Sequence, residues 1–154
     1  MAKAKVQPIP KGFHTLTPQL SLEGAAEAIE LFKRAFGAEE ITRAPDPSGN
    51  KVWHAHLMIG NSAIFVNDVF PEMGGTAKSA GIWMYLEDAD KAFKRAVDAG
   101  MKAVMAPTDM FWGDRFARVT DRWGNDWGMA THTQDMTPEE MKKAEQAAVV
   151  AMKK

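Results

Sequence analysis

Phe32-Lys33-Arg34-Ala35 returns further along the chain as Phe93-Lys94-Arg95-Ala96, and Gly60-Asn61 returns as Gly124-Asn125 at nearly the same offset. Self-similarity at a fixed offset marks a repeated structural unit, so the segments around the two copies are compared first. Ahead of the first copy, Thr17, Gln19 and Ser21 alternate with Pro18, Leu20 and Leu22, the pattern of a half-buried strand over 17–22. The copy itself lies on an apolar stripe of Ala25, Ala28, Ile29, Phe32, Ala35 and Phe36. That spacing predicts a helix from about Ala25, stopped by Gly37 in the left-handed conformation. Ile41 to Ala44 is a short strand, and Pro45-Asp46-Pro47-Ser48-Gly49-Asn50 is a loop. Val52 to Ile59 and Ser62 to Asp68 form a hairpin across Gly60-Asn61.

The second half repeats this order. A strand covers Gly81 to Leu86, and a helix starts at Asp88, a good N-cap, and ends at Gly100. Its buried stripe is Ala89, Ala92, Phe93, Ala96 and Val97. A strand lies near Lys102 to Met105, and Asp114 to Thr120 pairs with Asp126 to Thr131 around Arg122-Trp123-Gly124-Asn125. Each half therefore reads β-α-β-β-β, the first module about 13–70 and the second about 80–132, joined through Pro71 to Ser79. Thr137-Pro138-Glu139-Glu140 opens a C-terminal helix, about 137–152, as a capping box with proline at the first helical position.

Composition narrows the class. At 154 residues, 45% hydrophobic and 25% charged, the chain is long enough for one globular domain over 1–154. A formal net charge of -1 without a basic block argues against a nucleic-acid partner. The absence of cysteine excludes disulfides, thiol catalysis and cysteine-ligated zinc. Eleven Met and five Trp suit an adaptable apolar pocket as well as a core. The leading stretch to His14 holds no signal-peptide run and no segment approaches a membrane span, so a cytoplasmic protein without a membrane partner is expected.

Local motifs point to a family. Ala28-Ile29-Glu30-Leu31-Phe32-Lys33-Arg34-Ala35-Phe36-Gly37-Ala38 resembles the first helix of the glyoxalase/bleomycin resistance/dioxygenase (vicinal oxygen chelate) superfamily. Pro8-Ile9-Pro10-Lys11-Gly12-Phe13-His14-Thr15, Trp112-Gly113-Asp114-Arg115-Phe116, Val119 to Asn125 and Ala130-Thr131-His132 resemble its PhnB-like branch. The resemblance implies an α+β fold of two β-α-β-β-β modules whose eight strands form an open cleft or barrel, with a homodimer as the expected assembly. In metal-using relatives, His, Gln or Glu on the first and last strands of each module hold the ion. Carried onto this sequence, those positions fall on Thr17, on Phe65 or Asn67, on Gly81 and on Gly128. None is a histidine or carboxylate, so no metal and no cofactor are expected.

Strand alternation names what lines the ligand face instead, because residues two apart share a face. The first module contributes Gln19, His54, His56, Phe65 and Asn67, the second Trp83, Tyr85, Trp112, Phe116 and Arg118. Asp114 is expected to pair with Arg118 or Arg115, and Arg118 to hold an anionic ligand group. His14 and His132 fall outside the modules as structural residues. With Gly81 in place of a ligand, room is expected to open beside Trp83 and Tyr85, with Trp112 and Phe116 closing the stack. An aromatic cleft with few polar groups points to a metal-independent small-molecule binder. The alternatives are a lyase, isomerase or dioxygenase with relocated metal ligands or with His54, His56 or Tyr85 as acid/base, and a non-catalytic structural dimer.

Overall fold

In the computed structural model, which describes residue 2 and residues 4–154, the first module runs β1 (Gln19–Leu22), α1 (Ala25–Phe36), β2 (Glu39–Pro45), β3 (Val52–Ile59) and β4 (Ser62–Asp68). The second runs β5 (Gly81–Tyr85), α2 (Ala89–Asp98), β6 (Lys102–Asp109), β7 (Asp114–Thr120) and β8 (Asp126–His132), and α3 (Pro138–Met152) follows. A short 3-10 turn, Pro71–Met73, occupies the joint. Met1 and Lys3, part of the leading stretch considered for a signal peptide, lie outside the described residues. No helix among the described residues is long and apolar enough to cross a membrane.

The chain divides into two compact units, one ending at Ser79 and the other beginning at Ala80. Their topologies are the same: sheet order β1-β4-β3-β2 in the first and β5-β8-β7-β6 in the second, each with one parallel pair and two antiparallel pairs. The fold is α+β with two β-α-β-β-β modules. Among the described residues the strands pair within their own module, as two four-stranded mixed sheets and not as one hydrogen-bonded barrel.

The boundaries differ most from the alternation at three strands. The first strand begins at Gln19, because Pro18 has no N–H to donate, although its carbonyl accepts from the Phe65 N–H; Thr17 therefore lies ahead of the strand. β2 and β6 are longer than predicted. Both are edge strands that stay paired through bulges, and an edge tolerates Pro45 and Pro107 because one row of its backbone groups is unpaired anyway.

Packing follows the predicted stripes. In the first unit Leu20, Leu22, Ala55, Leu57, Ile64 and Val66 are buried together with Ala28, Ile29, Phe32 and Ala35 of α1. Gly37 ends that helix at φ +66°, freeing its N–H to close the last turn on Lys33 O. In the second unit Met84, Ala117, Val119, Trp127 and Met129 are buried along with Ala89 and Ala96 of α2. Burying a side chain the size of Leu or Phe contributes roughly 1.5–3 kcal/mol, so these faces dominate the stability of each unit.

Helix ends are closed across the sheet. α1 starts at Gly24 with no cap of its own. Asp68, at the end of β4, reaches over instead: its Oδ1 accepts from the Gly24 and Ala25 N–H groups at 2.9 and 3.0 Å, its Oδ2 from Val52 N–H at 2.7 Å. Thr131 on β8 serves α2 in the same way, accepting from Ala89 N–H at 2.8 Å and donating to Leu86 O. Asp88 adds the predicted N-cap. α3 opens on the predicted capping box, Thr137 with Glu140, and buries none of its residues fully.

Candidate functional site

On the face of the first sheet turned away from α1, strand register places Gln19, Phe65, His56 and Thr42 in one row across β1, β4, β3 and β2. Ser21, Asn67, His54 and Ala44 lie on the next row. Phe65 and Asn67, the two choices for the fourth-strand position, thus share this face, together with every first-module residue expected there. Asn67 Oδ1 accepts from Gln19 Nε2 at 2.9 Å and from Ser21 Oγ at 3.2 Å, and its Nδ2 donates to Asp68 O. Phe65 meets His54 edge-on at 4.6 Å and His56 at 5.7 Å. Phe13 completes the cluster, 4.9 Å from the His56 ring and 5.8 Å from that of Phe65. Sequence reasoning did not place Phe13 here, because it precedes the first strand and alternation says nothing about an irregular segment.

The second sheet carries a larger aromatic group. Trp83, Gly128 and Arg118 form one row across β5, β8 and β7, and Tyr85, Ala130 and Phe116 the next. Trp83 stacks on Phe116 with centroids 4.5 Å apart and planes 14° from parallel. Trp112 touches both, at 6.1 and 5.9 Å, and Phe111 adds an edge contact to Trp112. The room expected at Gly81 is there, while the space over Gly128 is taken. A side chain at Gly81 would meet nothing, whereas a Cβ at Gly128 would stand 2.9 Å from Phe116 Cε2 and 3.4 Å from Trp83 Cε3. The stack of Trp83 on Phe116 fills the space over Gly128. No ring fits between these two, yet Trp83 remains 48% exposed and Tyr85 64%. The surface on offer is the outer face of a built stack. Trp83 packs on Phe116.

Asp114 holds this group in place. It is 2% exposed and accepts from Tyr85 OH at 3.1 Å, Trp112 Nε1 at 2.8 Å and His132 Nδ1 at 2.8 Å. The expected pairing of Asp114 with Arg118 or Arg115 is thereby corrected. Arg118 Nε binds Asp126 at 3.0 Å, because it shares the face of Asp114 but lies two pleats along β7, and Arg115, on the opposite face, binds Asp90 and Asp109. His132 is also more than a bystander: it is the last residue of β8, directly opposite Asp114 in the ladder. Gly113, in the same motif, is at φ +91°, and a Cβ there would collide with the Gln134 carbonyl oxygen. Desolvation of the Tyr85 hydroxyl, then its bond to Asp114, raises its pKa above that of an ordinary phenol, against an opposing contact from Trp83. Its proton points into Asp114. Tyr85 is thus a positioned ring and not a general base at neutral pH.

His132 bridges two carboxylates, Nδ1 to Asp114 and Nε2 to Asp135, each at 2.8 Å. A neutral imidazole donates only one of those bonds, so the bridge favours the imidazolium, and the bonds to Asp114 and then Asp135 raise the His132 pKa. A raised folded-state pKa contributes stability that is complete below the unfolded value of 6.5 and is lost as pH rises through the folded value. The urea midpoint is therefore expected to fall on going from pH 6 to pH 8, and His132→Gln to flatten that slope. An unchanged slope in the variant removes His132 as its source.

The four family positions do not fit a metal ion. Gly81 and Gly128 have no donor atom and the second is roofed by Phe116, Thr17 lies ahead of its strand, and Asn67 Oδ1 already accepts two hydrogen bonds. Among the described residues no three His, Asp, Glu or Cys side chains gather as a metal-binding group.

Residues 14–129 match the family described as Glyoxalase/Bleomycin resistance protein/Dioxygenase superfamily. An uncharacterised protein of Mycobacterium bovis is 36% identical over 138 residues, covering 84% of this chain and 90% of its own. Among solved structures, TioX from Micromonospora sp. ML1 superposes with a TM-score of 0.62 at 24% identity, over 76% of this chain and 98% of its own. A PhnB protein from Bacillus cereus gives a TM-score of 0.57 at 19% identity, over 77% and 99%. These two likenesses concern the fold.

Proposed function

This chain belongs to the glyoxalase/bleomycin resistance protein/dioxygenase superfamily, and from that premise we propose that it is a metal-independent binder of a planar small molecule, held on the open aromatic face of its second sheet. The observation that carries the reading is Trp83. Its indole is pressed on one side against Phe116, over the glycine that stands at a family ligand position, and is 48% exposed. Trp112 and Tyr85, both tied to Asp114, fix the surrounding rings. A platform ordered before binding loses little conformational entropy when a ligand stacks on it. Arg118, beside Gly128 in the same row, supplies a cation for an anionic substituent. The enzymatic alternatives draw less support, since Tyr85 has its proton committed to Asp114 and two of the four metal positions, Gly81 and Gly128, carry no donor atom. The reading includes a cytoplasmic homodimer, as the family resemblance implies, and sedimentation of the purified protein at several concentrations tests the dimer.

Tryptophan quenching by aromatic acids, quinones and planar antibiotics identifies the ligand class. Stacking on one aromatic face is typically worth about 1–3 kcal/mol, so Trp83→Ala is expected to weaken the best ligand by about 5- to 150-fold. Arg118→Ala is expected to weaken anionic ligands selectively. Wild-type affinity in both variants, compared at equal folded fraction, overturns the placement. One equivalent of transition metal retained by the purified protein and required for binding overturns metal independence.

A further inference from the structure

The first sheet holds a buried polar atom that nothing satisfies. His56 Nε2 is shielded from solvent, and no hydrogen-bond partner reaches it. Native proteins rarely leave such an atom unpaired, and doing so costs about as much as a lost hydrogen bond. The rings of Phe13 and Phe65 lie 4.9 and 5.7 Å from the His56 ring, centroid to centroid, and His54 shares this face of β3. The two rows that form this face, Gln19, Phe65, His56 and Thr42, then Ser21, Asn67, His54 and Ala44, contain no Asp, Glu, Lys or Arg. Phe13 belongs to no strand, and a turn bond from its N–H to Pro10 O anchors its backbone.

We propose that this face is a binding site of its own, in which His56 Nε2 hydrogen-bonds the hydroxyl of an uncharged phenol whose ring takes the place of Phe13 against His56 and Phe65. The chemistry follows from the lining. A hydroxyl both donates and accepts, so it satisfies Nε2 in either tautomer, whereas a carbonyl only accepts and an ammonium only donates. An aromatic ring replaces the contacts Phe13 gives up. Neither row offers a Lys or Arg to pair with a carboxylate, so an ionised ligand group taken out of water here is disfavoured against a phenol. The site lies wholly in the first unit and goes beyond the stacking platform of the second.

Titrating the full chain with p-cresol, toluene and p-toluate, while following the imidazole carbon–proton signals by NMR, tests it. The expected result is a p-cresol-dependent shift of the His56 signals and an affinity for p-cresol about tenfold above that for toluene. In His56→Phe that preference is expected to fall below about twofold. Phe13→Ala, which keeps the imidazole and opens the site, is expected to bind p-cresol more tightly. Trp83→Ala is expected to leave p-cresol binding at His56 unchanged, so failure of the platform and failure of this site are told apart. No His56 shift at saturating p-cresol, a preference that survives His56→Phe, unaltered affinity in Phe13→Ala, or tighter binding of p-toluate each overturns the proposal.

Discussion

Asp121→Ala is expected to destabilise the protein by about 3–5 kcal/mol, the largest single effect of any substitution considered. Hydrogen bonds to a charged group contribute about 1.5–3 kcal/mol each and are not additive. This carboxylate, 7% exposed, collects four: from the Trp123 N–H, the Asn125 N–H, Asn125 Nδ2 and Trp127 Nε1. Alanine strands the Trp127 indole N–H in a residue that is fully buried, and releases Asn125, whose Oδ1 pins the Ala80 N–H just ahead of β5. The consequence reaches the site. The turn over 121–125 sets the β7–β8 register that puts Arg118 opposite Gly128, and a slip of one residue would turn every side chain on β7 to the other face. Urea unfolding of wild type, Asp121→Ala and Asp121→Asn checks it. Asparagine keeps two acceptor lone pairs and is expected to recover part of the loss; a cost under about 1 kcal/mol for alanine contradicts the role assigned to the carboxylate.

Asp114→Ala is expected to cost about 2–4 kcal/mol and, unlike Asp121→Ala, to dismantle the aromatic face in the molecules that remain folded. Three donors lose one buried acceptor, and two of them, Tyr85 and Trp112, orient rings of the proposed platform. Once freed, both rings regain rotamers, and ligand binding must then order them again. Near-UV circular dichroism of folded Asp114→Ala is therefore expected to lose intensity while the far-UV spectrum is retained, and ligand affinity to drop with it. The pH dependence through His132 should weaken in parallel, since Asp114 is the first of its two carboxylates. Native near-UV intensity and native affinity in this variant would show that packing alone, chiefly Trp83 on Phe116, holds the face.

Much of this molecule can be read from local pattern. Leu20 and Leu22 against Gln19 and Ser21, or Ile64 and Val66 against Phe65 and Asn67, divide the two faces of a sheet with no knowledge of its neighbours, because the period of two is a property of each strand alone. The stripes of α1 and α2, the left-handed stop at Gly37 and the capping box at Thr137 are equally local, since each is settled within about one helical turn. The repeated Phe-Lys-Arg-Ala then relates the two modules. The family positions emptied at Gly81 and Gly128 follow from the same register.

Tertiary structure alone decided which side chains meet. Asp68 caps α1 from 44 residues away, Tyr85 reaches Asp114 across 29, and Phe13 covers His56 from outside any strand. Nothing in the identity of an aspartate says whether an arginine, a tyrosine or a histidine will be its partner. That depends on strand order and register between segments distant in sequence, which place His132, and not Arg118, opposite Asp114. The same holds for empty space. A glycine in the sequence announces a missing side chain, but only the packed neighbours determine whether the volume stays open, as at Gly81, or is taken by a ring leaning in from the next strand, as at Gly128.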